Sequence, residues 1–424
     1  MAVAPALADA FVIEGSQPLS GRIRAAGNKN GALPILAACL LASDPVTLAN
    51  VPRIRDVDTM LELLSDLGSD AGWTGPNEVR IETANVAKSV PDVALCKKIR
   101  ASFLLAGPLL ARFGRATMPP PGGDVIGRRR LDPHIHAFAE LGAAIDIGGP
   151  TLEMTTDGMR GAHVFLDEAS VMATENAVMA AVMTPGETVI GNAACEPHVQ
   201  DLCRFLVSLG ARIEGVHHLG GGDWTIGCDH IEVGSFIGMA AITGGDVTVE
   251  GVRAKDLVSI IPAFAKLGVR VEVGEDTVHI PSRQQLIVQD DLGGMIPKIE
   301  DGPWPAFPSD LTSIAVTVAT QAFGTVLMFE KMFENRLFFT DKLVSMGARI
   351  ILCDPHRAVV TGPSKLRGQR MESPDIRAGM AMLLASLCAE GPSTIGAVYQ
   401  IDKGYERIDE RLRLLGAQIE RVEY

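Results

Sequence analysis

Six times along the chain, a helical stretch with hardly a polar face leads into a short turn and an apolar strand. The helical stretches are GALPILAACLLA, ASFLLAGPLLARF, AVMAAVM, FIGMAAI, LTSIAVTVATQAF and AGMAMLLASLCAE. A helix that is apolar all round belongs inside a domain, since any outward side would set apolar surface against water. The strands that follow are DPVTL (44–48), GRATM (114–118), GETVI (186–190), GDVTV (245–249), GTVLM (324–328) and GPSTI (391–395). Each is answered by a Leu-Gly or Met-Gly at Gly68, Gly142, Gly210, Gly268, Gly347 and Gly416. Helical spacing precedes these glycines, as in Val57, Met60, Leu61, Leu64 and Leu67, or Ile408, Leu412 and Leu415, and predicts a glycine C-cap. Each copy, about seventy residues long, reads as buried helix, strand, amphipathic helix, strand. The fold class expected is α/β, with helices within and sheets outside. Six such copies group as three plus three around two cores rather than as a rod, with the midpoint near Cys228 and Asp229. The predicted domains are 29–228, carrying repeats one to three, and 1–28 with 229–424, carrying repeats four to six, with a cleft between them.

Composition limits what such a fold serves. With 38 basic against 51 acidic residues, the net charge of −13 disfavours non-specific attraction to nucleic acid or anionic lipid. An anionic ligand has to be met by local clusters. The longest apolar run, around Ala32 to Ala42, falls far short of the roughly eighteen residues of a membrane helix. No basic residue precedes Arg22, which is unlike a signal peptide, so a cytoplasmic protein is expected. The cysteines at 39, 96, 195, 203, 228, 353 and 388 form an odd set without CxxC or zinc-like spacing and predict reduced thiols. His134 and His136 make a lone HxH without partners, so neither metal nor cofactor is expected. Gly220–Gly222 lacks the strand–GxGxxG–helix context and no GKT or GKS occurs, which leaves nicotinamide and ATP chemistry unsupported.

The charges at the mouths of the buried helices carry the functional signal. Lys29 and Asn30, Arg100, Asp310 and Arg377 fall in their first turns. Asp132, Arg336, and Lys403 with Arg407 fall near the starts of the second helices. A cation there adds to the positive end of the helix dipole, which is unfavourable unless an anion is present. Any one of them could be a surface salt bridge, but their recurrence at matching positions points to a receptor for phosphate and carboxylate. The second repeat also departs in length. From Met118 to Gly142 there are 24 positions against 19 to 21 in the other copies, and the excess is Pro119-Pro-Pro-Gly-Gly-Asp-Val-Ile-Gly-Arg-Arg-Arg130. Proline, glycine and three arginines in such an insertion predict a mobile loop over 118–130 that closes on an anionic ligand.

The segments GNKNGALPILAACLLA, PGGDVIGRRRLDPH, PAFPSD, FENR and IDKGYERIDERLRLLGAQIER resemble the signatures of the UDP-N-acetylglucosamine 1-carboxyvinyltransferases, and the resemblance covers essentially the whole chain. It implies a two-domain inside-out α/β barrel of six βαβαββ repeats, three per domain. It also implies a transferase that moves enolpyruvate from phosphoenolpyruvate to the 3-hydroxyl of UDP-N-acetylglucosamine, the first committed step of peptidoglycan precursor synthesis, and so serves cell wall biogenesis, shape and division. The sister 5-enolpyruvylshikimate-3-phosphate synthases share the fold but typically have GSKS where this chain has Gly27-Asn-Lys-Asn30. By the resemblance Lys29, Arg100, Lys403 and Arg129 hold the phosphoenolpyruvate phosphate, and Arg336 and Arg377 its carboxylate region. Asn30 and Asp310 touch the sugar hydroxyls, with Asp310 as base. The loop from Arg129 to His134, including Asp132, lines the uridine pocket with Ser170 and Val171. No metal or cofactor is implied, and the working form would be a monomer or weak homo-oligomer without nucleic-acid or membrane partners.

Several positions depart from the family pattern. Asp124 replaces the loop cysteine of PGGC, the thiol that takes part in protonating C3 and is alkylated by fosfomycin. An aspartate is a proton donor only while it holds a proton, which calls for surroundings that disfavour its charge. Insensitivity to fosfomycin is expected. Lys403 stands where the family usually has arginine, losing a bidentate fork but keeping the charge. Arg130, Glu168 and Cys195 replace the usual residues near the nucleotide. Two alternatives follow: transfer to a different nucleotide or sugar nucleotide, and a catalytically silent paralogue that only binds a nucleotide sugar.

Overall fold

The structure, a computed structural model, describes residues 9–124, 126–127, 129–212 and 219–423. The chain divides into two compact units. Unit one comprises Met1–Ala25, Val125–Arg128 and Cys228–Tyr424; unit two comprises Ala26–Asp124 and Arg129–Gly227.

Three apolar helices form the heart of each unit. They are Lys29–Ala38, Ala106–Phe113 and Val171–Ala181 in unit two, and His230–Thr243, Thr312–Ala319 and Ile376–Cys388 in unit one. Every residue of Thr312–Ala319 is buried, as the lack of a polar side requires. In unit one the three helices pack on one another. A Cβ at Gly238 would lie 2.9 Å from Ile314 and 3.4 Å from Leu384, so only glycine lets all three meet there. The side chains of Asn28, Ser170, Asp229 and Asp375 cap four of the six helices by accepting from first-turn amides.

The amphipathic helices are Arg55–Leu67, Asp132–Glu140, Pro197–Ser208, Ile260–Lys266, Thr340–Ser345 and Ile408–Leu414. All six end in the same way. The amides of Ser69, Ala143, Ala211, Val269, Ala348 and Ala417 donate to the carbonyls of Leu64, Phe138, Leu206, Phe264, Leu343 and Leu412 over 2.9–3.1 Å. Closing that bond requires a left-handed residue in between, and the six glycines supply it with φ from 80° to 108°. The six accepting residues are all buried, so each cap also turns the chain back over the core.

Among the described residues, six separate open sheets cover these helices. In five of them an antiparallel pair faces inward: Val46 opposite Ile81, Ala116 opposite Met154, Val247 opposite Ile280, Val326 opposite Val360, and Phe11 opposite Ile395. All ten residues are buried, so the register that hides them places the helices inside and the polar strand faces outside. In the sixth, Val189–Gly191 pairs in parallel with His163–Phe165. The strand expected after Gly210 falls on 213–218, outside the described residues. All seven cysteines are free thiols. No helix among the described residues is long and apolar enough to cross a membrane.

Glu175 lies fully buried within Val171–Ala181, with Oε1 lacking a hydrogen-bond partner. Burial, then the charge of Glu196, push its carboxyl well above the usual range. The unfolded chain releases this proton above about pH 4.3 while the folded chain keeps it, so the group's contribution is full below that pH and shrinks as pH rises. Urea midpoints at pH 5 and pH 8 are expected to differ more in the wild type than in Glu175→Gln; equal differences would contradict the assignment.

Candidate active site

In unit one the chemistry gathers on a carboxylate held between two guanidiniums. Asp310 lies in the short turn Ser309–Leu311 that leads into a buried helix. Arg377 is the second residue of another buried helix, and its amide is fixed by the Asp375 cap. Arg377 Nη2 donates to Asp310 Oδ2 at 2.7 Å, and Arg336 Nη2 donates to Oδ1 at 2.8 Å. Both arginines are nearly inaccessible, at 5% and 6% exposure. Burial opposes the charge of Arg377, but Asp310, then Tyr405 and Asp229, outweigh it and hold the guanidinium above its ordinary range. Arg377 Nη1 also donates to the Tyr405 hydroxyl at 3.1 Å, and that hydroxyl is 3.0 Å from Ser235 Oγ. Arg336 Nε has no hydrogen-bond partner. A buried charged donor left unmatched favours an anionic acceptor.

Two placements differ from expectation. Arg336 does not open a helix. It sits in consecutive three-residue turns over 333–340, and the helix starts only at Thr340. Lys403 ends a 3₁₀ turn, Val398–Lys403, ahead of the helix Ile408–Leu414. Its Nζ donates to Gln400 Oε1 at 2.6 Å and lies 5.9 Å from the Tyr399 ring centroid.

In unit two, Lys29 begins its helix and Asn30 follows on the same turn. Lys29 Nζ lies 2.7 Å from Asp56 in an ion pair largely out of solvent. The anion that a cation at this helix start requires is therefore already present as a carboxylate, which the sequence reading missed. The signal was an ordinary acidic first turn in Arg55–Leu67.

Arg100 anchors both ends of the inserted loop. A Cβ at Gly122 would overlap the Lys97 carbonyl at 1.7 Å, and one at Gly123 would lie 2.8 Å from Arg100 Cβ, so two glycines bring the backbone down on Arg100 just before half-buried Asp124. Arg100 Nη2 donates to the Arg129 carbonyl at 2.9 Å. Burial, then the charge of Arg129, bring the Arg100 guanidinium down to about 10, so it is charged at neutral pH in surroundings that oppose the charge. An arriving anion would relieve both effects. Of the loop itself, Val125 and Arg128 lie outside the described residues. Within unit one, the Asn335 amide donates to the Ile126 carbonyl at 3.3 Å.

The nucleotide residues are more local. Ser170 caps the helix that Val171 opens. Asp132 opens its own helix and pairs with Arg130, which also reaches Asp167, each at 3.3 Å, so Arg130 spans two carboxylates. His134 is buried, and its Nδ1 lies 3.0 Å from Asn176 Nδ2, which makes Nδ1 the acceptor. Burial, then Arg100, lower its imidazole to about 3. It is a neutral histidine packed edge-on against Phe103. Cys195 borders a cavity of about 380 Å³ with Cys203 and Arg204. Glu168 is exposed.

Cations at helix starts in both units of a six-repeat α/β fold make this an anion-handling protein. The family profile of EPSP synthase (3-phosphoshikimate 1-carboxyvinyltransferase) matches residues 13–412. A UDP-N-acetylglucosamine 1-carboxyvinyltransferase of Bradyrhizobium diazoefficiens is 56% identical over 97% of this chain and 98% of that one. Another, from Treponema denticola, is 50% identical over 97% and 98%. Among solved structures, the enolpyruvyl transferase NikO from Streptomyces tendae superposes with a TM-score of 0.87 at 23% identity, covering 99% of this chain and all of that one. EPSP synthase from Acinetobacter baumannii gives 0.74 at 18%, covering 98% and 100%. These two structures agree in fold. The chain belongs to the enolpyruvyl transferase family, in its branch of UDP-N-acetylglucosamine 1-carboxyvinyltransferases.

Removing Asp310 strands two buried guanidiniums. Asp310→Ala is expected to lower the free energy of unfolding by about 3 kcal/mol, measured by urea denaturation, because an uncompensated buried charge is left behind. A loss under about 1 kcal/mol would show that solvent already serves both arginines.

Proposed function

We propose that the protein transfers the enolpyruvyl group of phosphoenolpyruvate to the 3-hydroxyl of UDP-N-acetylglucosamine and releases phosphate, by addition and elimination through a tetrahedral ketal. The observation that carries the reading is the Asp310 carboxylate between Arg336 and Arg377, with the Arg336 Nε left over. The carboxylate of phosphoenolpyruvate competes with Asp310 for those two guanidiniums. As it takes them, Asp310 is released to accept the proton of the sugar hydroxyl as that oxygen attacks C2. C3 gains a proton, a role assigned to Asp124. Phosphate then leaves C2 as C3 gives a proton back and the C2–C3 double bond re-forms, the phosphate charge being met by Lys29, Arg100, Arg129 and Lys403 in surroundings that strengthen each contact. Lys29 makes the same exchange as Arg336 and Arg377, giving up Asp56 for a substrate anion.

Recognition of the acceptor is assigned to Asn30 at the sugar and to Asp132, His134, Ser170 and Val171 at the uridine nucleotide. His134 acts there as the neutral support of its helix. With Arg130 spanning Asp132 and Asp167, the sequence departures near the nucleotide reduce to Glu168 and Cys195. The seven free thiols fit a reducing compartment, and the reaction is assigned to the cytoplasm, in a monomer or weak homo-oligomer.

Phosphate release is expected only when phosphoenolpyruvate and UDP-N-acetylglucosamine are both present. Asp310→Asn is expected to cut kcat by about 10²- to 10⁴-fold, the usual contribution of a positioned base. Release with another sugar nucleotide but none with this one would move the assignment to a different acceptor, and binding without turnover would leave a silent paralogue. Because a carboxylate stands at position 124, fosfomycin is expected to cause no time-dependent inactivation; a covalent mass shift after incubation would contradict the role given to Asp124.

A further inference from the structure

One pair of buried acids has no place in the reaction above. Asp301 follows the strand Lys298–Glu300 and Glu330 follows Gly324–Phe329, and the two strands run side by side in parallel. Both carboxyls emerge at the same end of the sheet, at 1% and 0% exposure. A carboxyl buried beside another acid resists taking up charge. Burial, then the hydrogen bond and charge of Asp301, push the Glu330 carboxyl up to about 8 against the opposing charge of Arg336. Asp301 Oδ1 accepts from the Lys331 amide, while Oδ2 meets no ordinary donor. Glu330 and Asp301 are hydrogen-bonded side chain to side chain, a contact that a proton on Glu330 supports.

Glu330 holds two pieces of the site at once. It accepts from the Ser309 hydroxyl at 2.8 Å, and Ser309 precedes Asp310. Its Oε1 also accepts from the amides of Met332 and Phe333, at 3.2 and 3.1 Å. Phe333 in turn accepts from the Arg336 amide at 3.4 Å, and its ring centroid lies 5.2 Å from the Arg336 guanidinium. One side chain thus ties together both ends of the Asp310–Arg336 pair. The other charged or titratable groups around it are His356, whose ring Nδ1 is 2.7 Å from the Glu330 carbonyl, and Lys331, whose ammonium turns outward to Glu300.

We infer that Glu330, paired with Asp301, is a positioning residue for the transfer, setting the separation of Asp310 and Arg336 from behind the site. The inference rests on the reaction proposed above. When pH rises through about 8 Glu330 loses its proton, its new charge is opposed by burial and by Asp301, and the Ser309 and Phe333 anchors move with it. The test is the pH profile of kcat for phosphate release in the full-length enzyme. Wild type is expected to fall on the alkaline side with an apparent pKa near 8. Glu330→Gln keeps the acceptors and offers Asp301 an amide donor, so its kcat is expected to stay within about threefold of wild type near pH 7 and remain flat to about pH 9, while Glu330→Ala loses about tenfold or more throughout. If the alanine variant does not fold, Asp301→Asn decides, since it removes the second carboxyl and is expected to abolish the alkaline fall. A wild type without that fall, or a fall that persists in Glu330→Gln and Asp301→Asn, overturns the inference. Absence of phosphate release from the wild type would instead overturn the assigned reaction.

Discussion

Helices without a polar face leave a chain no choice about where its chemistry goes. Six such helices have to be covered on every side, and the covering sheets present only apolar pairs inward, such as Val326 with Val360. Helix ends are polar openings in such a core, since backbone amides there lack partners within the helix. Lys29 and Arg377 stand at such starts, and Arg100 opens the 3₁₀ turn Arg100–Leu105 that leads into Ala106–Phe113.

Charge at those openings has to be answered before a substrate arrives, and carboxylates answer most of it. Asp310 serves Arg336 and Arg377, and Asp56 serves Lys29. Such pairs hold the cations in place, yet each partner is a single carboxylate that a better-placed anion can replace. Arg100 differs. It is held by a backbone carbonyl and crowded by Arg129, so an anion there would offset an existing repulsion instead of trading one partner for another. The two arrangements predispose the molecule to bind anions without the helix starts collapsing in their absence.

The repeat was legible because its signals are local. A glycine after a periodic apolar run fixes a cap within six residues, and all six glycines adopt the left-handed conformation the cap needs. The cations at helix starts were legible for the same reason. Their partners were not. Asp310 and Arg377 are 67 residues apart, Ser235 and Tyr405 are 170 apart, and no periodicity links them. The Phe333–Phe339 stretch reads as the lead-in of a helix, but its bonds close after three residues, which leaves Arg336 in a turn aimed at Asp310. His134 was named through the resemblance alone, and its packing against Phe103 and Asn176 is one that no local pattern brings to it. The Glu330–Asp301 pair arises from strand order, which sequence spacing does not carry.

The exchange of anions at Asp310 is the point on which the account turns, and a crystal structure with phosphoenolpyruvate bound addresses it directly. The account predicts density for the three-carbon acid on the guanidiniums of Arg336 and Arg377, with the Asp310 carboxylate withdrawn from at least one of them. A bound phosphoenolpyruvate that leaves both Asp310 contacts at their present 2.7 and 2.8 Å would contradict it.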